Sequence, residues 1–271
     1  EALKEDPMVD IVIGNNLKSR ITEIVAQFME DRRKMARVED ISRGSEYETM
    51  EISEVSEHTR AYIKIQDGCN QFCSYCIIPY ARGRVRSRLQ EDILKEITGL
   101  AGKGYKEYVL TGIHISSYGL DFENKQASDS QRGDCVQTAN TDQDGHLEQK
   151  PFTVRADNEE DYGPFAGSAL IGLIEAIAEI PGVERIRLGS LEPRIITRDF
   201  VTRLAAIPQI CPHFHLSLQS GCDETLRRMN RHYTTELFEG KCRLLREVFD
   251  KPALTTDVIV GFAGETEEEF A

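Results

Sequence analysis

From about residue 60 onward the chain repeats one pattern: a short apolar run, a polar loop, then a stretch with helical periodicity. Strand-like runs fall at residues 61–66, 107–111, 185–189, 214–219 and 256–261. Helix-like stretches fall between them at 91–103, 168–180, 198–207, 223–230 and 235–249. Ile93, Ile97 and Leu100 share one helical face, and Leu170, Ile174, Ile177 and Ala178 share another. Upstream, 10–13 reads as a short strand and 17–29 as a helix, followed by a charged linker. Alternation of strand and helix builds a parallel sheet, either doubly wound or closed into a barrel.

Strand polarity favours the barrel. In "HFHLSLQSG", Phe214, Leu216 and Leu218 point one way and His213, His215, Ser217 and Gln219 the other. "YIKIQ" sets Ile63 and Ile65 against Lys64 and Gln66, and "DVIVG" sets Val258 and Val260 against Asp257 and Ile259. A sheet covered by helices on both faces would give near-continuous apolar strands, whereas a barrel with a polar lumen gives this alternation. Chemistry then belongs at the C-terminal ends of the strands.

Residues 121–163 interrupt the repeat with a polar run, poor in aliphatics and without a period, which reads as a disordered acidic surface insertion. The stretch 121–161 holds 11 acidic and 4 basic residues, so its balance of −7 accounts for about half of the net charge of −13. Elsewhere the chain is only mildly acidic, and "ARGRVRSR" is a local basic run, so the overall charge does not exclude a nucleic-acid partner. No apolar run approaches the ~20 residues of a membrane helix, and the N-terminus lacks the features of a signal peptide, so a cytoplasmic location is expected. The chain opens on Glu1 without an initiator methionine and stops just after Thr266 and Glu269 form a capping-box pattern, so it reads as a fragment.

The seven cysteines are an odd number and do not suit a disulfide framework. Cys69, Cys73 and Cys76 in "DGCNQFCSYCIIPYARG" sit in the loop after the first barrel strand, at C-x3-C-x2-C spacing. Three thiolates can ligate three irons of a 4Fe–4S cluster and leave the fourth iron open to an outside ligand. The alternative is zinc, whose structural sites take four ligands; His58 and His114 are the nearest candidates and lie outside the loop.

This spacing, with Tyr75 just before the last cysteine, resembles the radical S-adenosylmethionine enzymes. Five blocks in order look like the radical methylthiotransferases: "YIKIQDGCNQFCSYCIIPYARGRVRSR", "LTGIHISSYG", "ERIRLGSLEPRIIT", "HFHLSLQSGCDETLRRMNRHYT" and "TTDVIVGFAGETEEEF". "GIHISSYG" and "RLGSLEP" favour the branch that methylthiolates C2 of N6-threonylcarbamoyladenosine beside the anticodon of tRNA. The isopentenyladenosine and ribosomal-protein aspartate branches are the alternatives, with a non-catalytic metal-binding module as a third.

The resemblance implies a partial parallel (β/α)6-type radical SAM barrel over 58–271, its last unit truncated. It is preceded by the end of an α/β N-terminal domain at 1–29 and a charged linker at 30–57. It implies that S-adenosylmethionine binds the open iron and is cleaved to a 5′-deoxyadenosyl radical. That chemistry suits adenine C2, whose hydrogen no side-chain base removes. Tyr75 is then expected against the adenine, and Thr111 and Gly112 near the methionine amino group. Glu192, Ser217 and Gln219 are expected as partners of methionine or ribose, with Ile259 and Gly261 where the adenine packs. Where the family commonly has proline, this chain has Ala263. A second 4Fe–4S cluster is expected only in a longer protein, with flavodoxin or ferredoxin as electron donor and the tRNA anticodon loop as partner.

Arg82, Arg84, Arg86 and Arg88 are candidates for tRNA phosphates or the cofactor carboxylate. Cys211, Cys222 and Cys242 read as buried or free thiols, although "CPHFH" places Cys211 beside His213 and His215 as an alternative metal site. Cys135 and His146 read as stray residues of the insertion.

Overall fold

The structure, a computed structural model, describes residues 2–39, 41, 47–48, 60–122 and 167–271. Cys135, His146, His58 and nearly all of the 121–163 insertion lie outside the described residues.

Strand β1 (Ile11–Ile13) leads into helix α2 (Ile21–Asp31), after the short helix α1 (Ala2–Glu5), and returns as β2 (Met35–Arg37), which pairs with β1 in parallel. Arg32, in the left-handed region at φ 54°, ends α2 and turns the chain back. β2 falls where the sequence reads as charged linker, because a three-residue strand, MAR, offers too little pattern to register. Asn15 Nδ2 donates to the Ala81 carbonyl at 2.5 Å and ties this unit to the short helix Ile78–Ala81.

The main sheet begins with β3 (Ala61–Asp67), which pairs with β5 (Glu107–Gly112) in parallel, and β5 pairs with β6 (Arg185–Leu188) in parallel. β4 (Arg86–Ser87) runs antiparallel along the end of β3, so the sheet is mixed, in the order β4-β3-β5-β6. β7 (His213–His215) and β8 (Ala253–Thr255) form a second parallel pair. Single bridges join the two sheets, Ile186 to Ile210 and Leu191 to Leu216, so the strands continue in one direction without closing into a barrel among the described residues.

Four longer helices lie along the chain between the strands: α4 (Gln90–Gly102), α5 (Ser168–Ala178), α6 (Arg198–Ala205) and α8 (Thr235–Val248). α3 (Ile78–Ala81), α7 (Asp223–Arg228) and α9 (Glu267–Phe270) are short. Ile63, Ile65, Tyr108, Leu110, Ile186, Leu188, Phe214 and Leu216 join Ile93, Ile97, Leu100, Leu170, Ile174 and Ile177 in one buried core. At about 1.5–3 kcal/mol for each large aliphatic chain withdrawn from water, this core is the main stabilising contribution. The face that Ile63, Ile65, Phe214 and Leu216 bury is the one the alternation marks. The opposite face carries the polar site residues at the strand ends.

Two strands differ from the patterned expectation. The stretch 214–219 is regular only at His213–His215, because Gln219 adopts a left-handed φ of 71°; bonds from Leu216 N to Thr255 O and Gln219 N to Asp257 O carry an irregular extension. The last strand is Ala253–Thr255, not 256–261, since it is Ala253 that registers with His213. Val258 and Val260, read as one face of the expected strand opposite Asp257 and Ile259, are 54% and 63% exposed. Alternation marks which side chains are apolar, not which are covered. The capping box of α9 forms as its sequence indicates: Thr266 Oγ1 accepts from Glu269 N at 3.3 Å and Glu269 Oε2 accepts from Thr266 N at 3.1 Å.

Candidate functional site

The site is assembled where β3 ends. Gln66 and Asp67 are buried there, and the chain turns at Gly68 with φ +72°. A Cβ on Gly68 would stand 1.9 Å from the Arg84 carbonyl oxygen, so only glycine lets the strand turn this tightly against the returning β4. Cys69 N donates to Gly83 O at 3.1 Å and Val85 N to Asn70 Oδ1 at 3.2 Å, closing the loop on its own hairpin. Asp67 organises the base of this turn. Lys64 Nζ lies 2.7 Å from its carboxylate, with Arg86 and Arg82 at 3.5 and 3.6 Å. Burial pushes the Asp67 carboxyl up, but hydrogen bonds and charge from Lys64, the Gly68 N–H and Arg86 outweigh it and hold the group below its usual value.

The other side of the loop rests on the segment after α7. Ser74 N and Oγ donate to the carbonyls of Met229 and Arg228 at 3.1 and 2.8 Å. Asn230 Nδ2 donates to Gln71 O and Phe72 O at 3.3 and 3.0 Å, and Arg231 Nη1 donates to the Cys73 sulfur at 3.2 Å. Cys69, Cys73 and Cys76 are free thiols. No group of three His, Cys, Asp or Glu side chains among the described residues converges on one point, as a mononuclear ion requires. A cluster asks only that each thiolate reach its own iron.

A buried polar layer borders this loop. Glu192 is held by Arg194 at 2.6 Å, and Arg194 Nη2 reaches Gln71 Oε1 at 3.4 Å. Burial raises the Glu192 carboxyl and Arg194 opposes it; the net shift is upward. His114 accepts or donates at Nδ1 with Ser117 Oγ at 2.7 Å, its backbone N donates to Gln66 Oε1 at 2.8 Å, and its Nε2 is buried without a hydrogen-bond partner, 4.0 Å from Glu192. Burial, then the charges of Arg231 and Arg194, push the His114 imidazole down to about 4. It is therefore neutral near pH 7.

The structure brings the sequence-read residues to this end of the sheet. Tyr75 lies edge-on to Phe262 with centroids 6.2 Å apart, next to Gly261, and burial raises its hydroxyl to about 12. Thr111 and Gly112 end β5; a Cβ on Gly112 would meet Gln66 O at 2.8 Å, so β5 approaches the loop base as closely as glycine permits. The carbonyls of Ser217 and Leu218 lie 2.5 and 2.9 Å from the Tyr233 hydroxyl, which accepts from Arg231 Nε at 3.0 Å. Ile259 N donates to Gln219 O at 2.8 Å and Gly261 N to Glu265 Oε2 at 2.5 Å.

Two of the four basic candidates need correction. Arg88 is fully buried in an ion pair with Glu96, and Arg86 is buried against Asp67, so neither faces a phosphate. Arg82 is half-buried beside Asp67, and Arg84 lies exposed over the Phe72 ring at 4.5 Å. His215 is taken up by Thr255 at 3.1 Å and Asp257 at 3.4 Å, so "CPHFH" assembles no metal site. Arg231, Asn230 and Arg194 carry no mark in the sequence as site residues, while His114 enters there only as a zinc candidate and Gln66 only as a polar strand position. Arg194, Asn230 and Arg231 were in the quoted blocks, but nothing in their spacing indicates contact with a loop some 120 to 160 residues away.

A three-thiol loop at the C-terminal end of the first strand of a mixed α/β sheet whose longer strands run parallel, bordered by buried polar side chains, defines a class. The family model described as the Radical SAM superfamily matches residues 63–271, and the chain belongs to that superfamily. Individual relatives extend the likeness. Threonylcarbamoyladenosine tRNA methylthiotransferase MtaB of Bacillus subtilis (strain 168) is 36% identical over 264 residues, 97% of this chain and 49% of that protein. Its namesake in Aquifex aeolicus (strain VF5) is 34% identical over 97% of this chain and 53% of its own length. The tRNA-2-methylthio-N(6)-dimethylallyladenosine synthase of Pelotomaculum thermopropionicum is 32% identical over 97% and 49%. The chain thus spans about half the length of the curated relatives it matches. The solved structure of the radical methyltransferase TsrM from Kitasatospora setae aligns at TM-score 0.43 and 18% identity, covering 73% of this chain and 30% of that one.

Proposed function

We propose that this chain is the central part of a radical S-adenosylmethionine methylthiotransferase that modifies C2 of N6-threonylcarbamoyladenosine beside the anticodon of tRNA. The observation that carries this reading is the loop of Cys69, Cys73 and Cys76, three free thiols clamped from both sides. Soft thiols, a cationic donor on Cys73 and an unpartnered buried nitrogen on His114 fit a 4Fe–4S cluster and a polar cofactor better than they fit an inert core. The strands read as an open arc of a (β/α)6 barrel, with residues 1–29 as the end of a preceding domain.

Cys69, Cys73 and Cys76 would hold the cluster, which when bound supplies the electron that cleaves S-adenosylmethionine. Around it the protein binds and orients. Tyr75 offers an aromatic face, Ile259 and Gly261 an adjoining apolar edge, and Thr111 and Gly112 a close-packed strand end. Glu192, Ser217 and Gln219 supply acceptors for methionine or ribose. Burial of Glu192 and His114 keeps this end dry, which protects a reactive carbon radical from side reactions. The exposed Tyr80 and Arg84 suit the splayed bases of an RNA loop. A cytoplasmic enzyme reduced by flavodoxin or ferredoxin completes the reading. Among the described residues no helix is long and apolar enough to cross a membrane.

Relatives named for the dimethylallyl substrate are only a few per cent less identical, which favours that branch as the second reading. Two measurements test these readings. Anaerobic reconstitution of this chain should give about four irons, lost in Cys73→Ala and retained in Cys242→Ala; about eight would overturn the single-cluster assignment. Nucleoside mass spectrometry of tRNA from a deletion strain should show the methylthio group missing from threonylcarbamoyladenosine. Loss from isopentenyladenosine instead would move the assignment to the other branch.

A further inference from the structure

Arg231 stands out because its charge is aimed at one sulfur. Its Nη1 donates to Cys73 Sγ at 3.2 Å while its Nε donates to the Tyr233 hydroxyl at 3.0 Å, and the guanidinium carbon lies 4.9 Å from that ring's centroid. The brace is itself fixed: Tyr233 is buried and its hydroxyl contacts the carbonyls of both Ser217 and Leu218. The neighbouring residue, Asn230, adopts a left-handed φ of 56°, which asparagine tolerates better than most side chains, and its amide holds the carbonyls of Gln71 and Phe72 just before Cys73. Ser74, just after Cys73, is bonded to Met229 and Arg228. The peptide on each side of Cys73 is therefore fixed to the segment that carries the guanidinium.

We propose that Arg231 is a positioning residue that places a permanent positive charge on the Cys73 thiolate and thereby raises the reduction potential of the cluster. Reduction adds one negative charge to the cluster. A fixed cation hydrogen-bonded to a ligating sulfur favours that more negative state, and net charge and hydrogen bonds to the sulfurs are among the factors that set such potentials. Arginine suits the task, because its planar fork serves Tyr233 and Cys73 at once and stays charged at any working pH. The consequence is a cluster that its electron donor reduces more readily. The inference rests on the cluster assignment proposed above.

The test is a redox titration of the full chain, reconstituted anaerobically with iron and sulfide and followed by the electron paramagnetic resonance of the reduced cluster. In Arg231→Gln the ratio of reduced to oxidised cluster at a fixed poise should fall about tenfold, equivalent to ~59 mV for one electron. Arg231→Lys should recover at least half of that loss on the logarithmic scale. Arg227→Gln, which removes an exposed charge paired with Glu224, should leave the ratio as it was. The midpoint is read on whatever fraction is loaded, so incomplete iron uptake does not mask it. If Arg231→Gln takes up no cluster, Tyr233→Phe decides, since it removes the brace but keeps the charge; a smaller fall in the same direction is expected. An unchanged midpoint in the decisive variant overturns the inference even if iron retention drops. If the parent chain itself takes up no four-iron cluster, the underlying reading fails instead.

Discussion

Arg88 and Glu96 form a buried ion pair between the end of β4 and the second turn of α4, with both side chains all but sealed from water. The backbone of Arg88 is equally committed: its N donates to Ile65 O at 2.9 Å and its carbonyl accepts from the Tyr118 hydroxyl at 3.0 Å. The pair fixes the strand that returns from the thiol loop against the helix that follows it. Glu96→Ala is expected to destabilise the chain by about 3–5 kcal/mol, because the guanidinium would stay buried without its counter-charge. The double variant Arg88→Met/Glu96→Leu should cost clearly less. Urea denaturation of the three proteins checks this, and equal losses in single and double variants would contradict it.

Gly68→Ala tests how tightly the thiol loop depends on one backbone conformation. A left-handed alanine costs roughly 1–2 kcal/mol before any clash, and the new Cβ would press into the Arg84 carbonyl at 1.9 Å. The loop is then expected to leave its hairpin, so that Cys69, buried in the parent, reacts with a thiol reagent at a rate near those of Cys73 and Cys76. Gly104→Ala, also at positive φ but with open space around its Cβ, serves as the control for backbone strain alone. Equal thiol kinetics in the parent and Gly68→Ala would refute the role given to this turn.

What was legible in the sequence is what local chemistry dictates. The periodic apolar positions of α4 and α5 located their buried faces, and the thiol spacing located the loop, because each is a pattern within a few residues. The capping box at Thr266 and Glu269 was readable for the same reason. Arg231, Asn230 and Arg194 carry no such local mark, since they reach the loop only through tertiary contacts with Gln71, Phe72 and Cys73. The run "ARGRVRSR" shows the opposite failure: four similar residues meet a buried carboxylate, an aromatic ring, Asp67 again and Glu96. Periodicity cannot separate those environments, because β4 is two residues long and antiparallel.

Val258 and Val260 provide a test in which the structure predicts the absence of an effect. The alternating pattern assigns them to a covered face, where truncation to alanine would cost more than ~1 kcal/mol each. At 54% and 63% exposure they have little burial to lose. Val258→Thr and Val260→Thr are each expected to stay within about 0.5 kcal/mol of the parent in this chain, as surface changes usually do. A loss above ~1 kcal/mol in either would restore the covered face that the pattern suggests.

His114 gives the chain a pH-dependent component of stability with a definite sign. In the unfolded chain the imidazole titrates near 6.5, whereas in the fold burial, Arg231 and Arg194 hold it down to about 4. Between those values the unfolded state binds the extra proton, so the contribution from His114 is complete above pH 6.5 and is lost as pH falls toward 4. The interval from 6.5 to about 4 caps the effect at ~3 kcal/mol. Glu192, which faces the ring, has a raised carboxyl and contributes a component of the opposite sign, full at low pH and lost as pH rises through its folded value. Arg194 and Arg231 stay charged throughout, and Ser117 at Nδ1 does not titrate. The effect therefore has to be read as a difference. The stability advantage of the parent over His114→Gln, measured by urea denaturation, should shrink by roughly 2–3 kcal/mol between pH 7 and pH 4. A constant advantage across that range would mean that the imidazole is charged in the fold or sits in water.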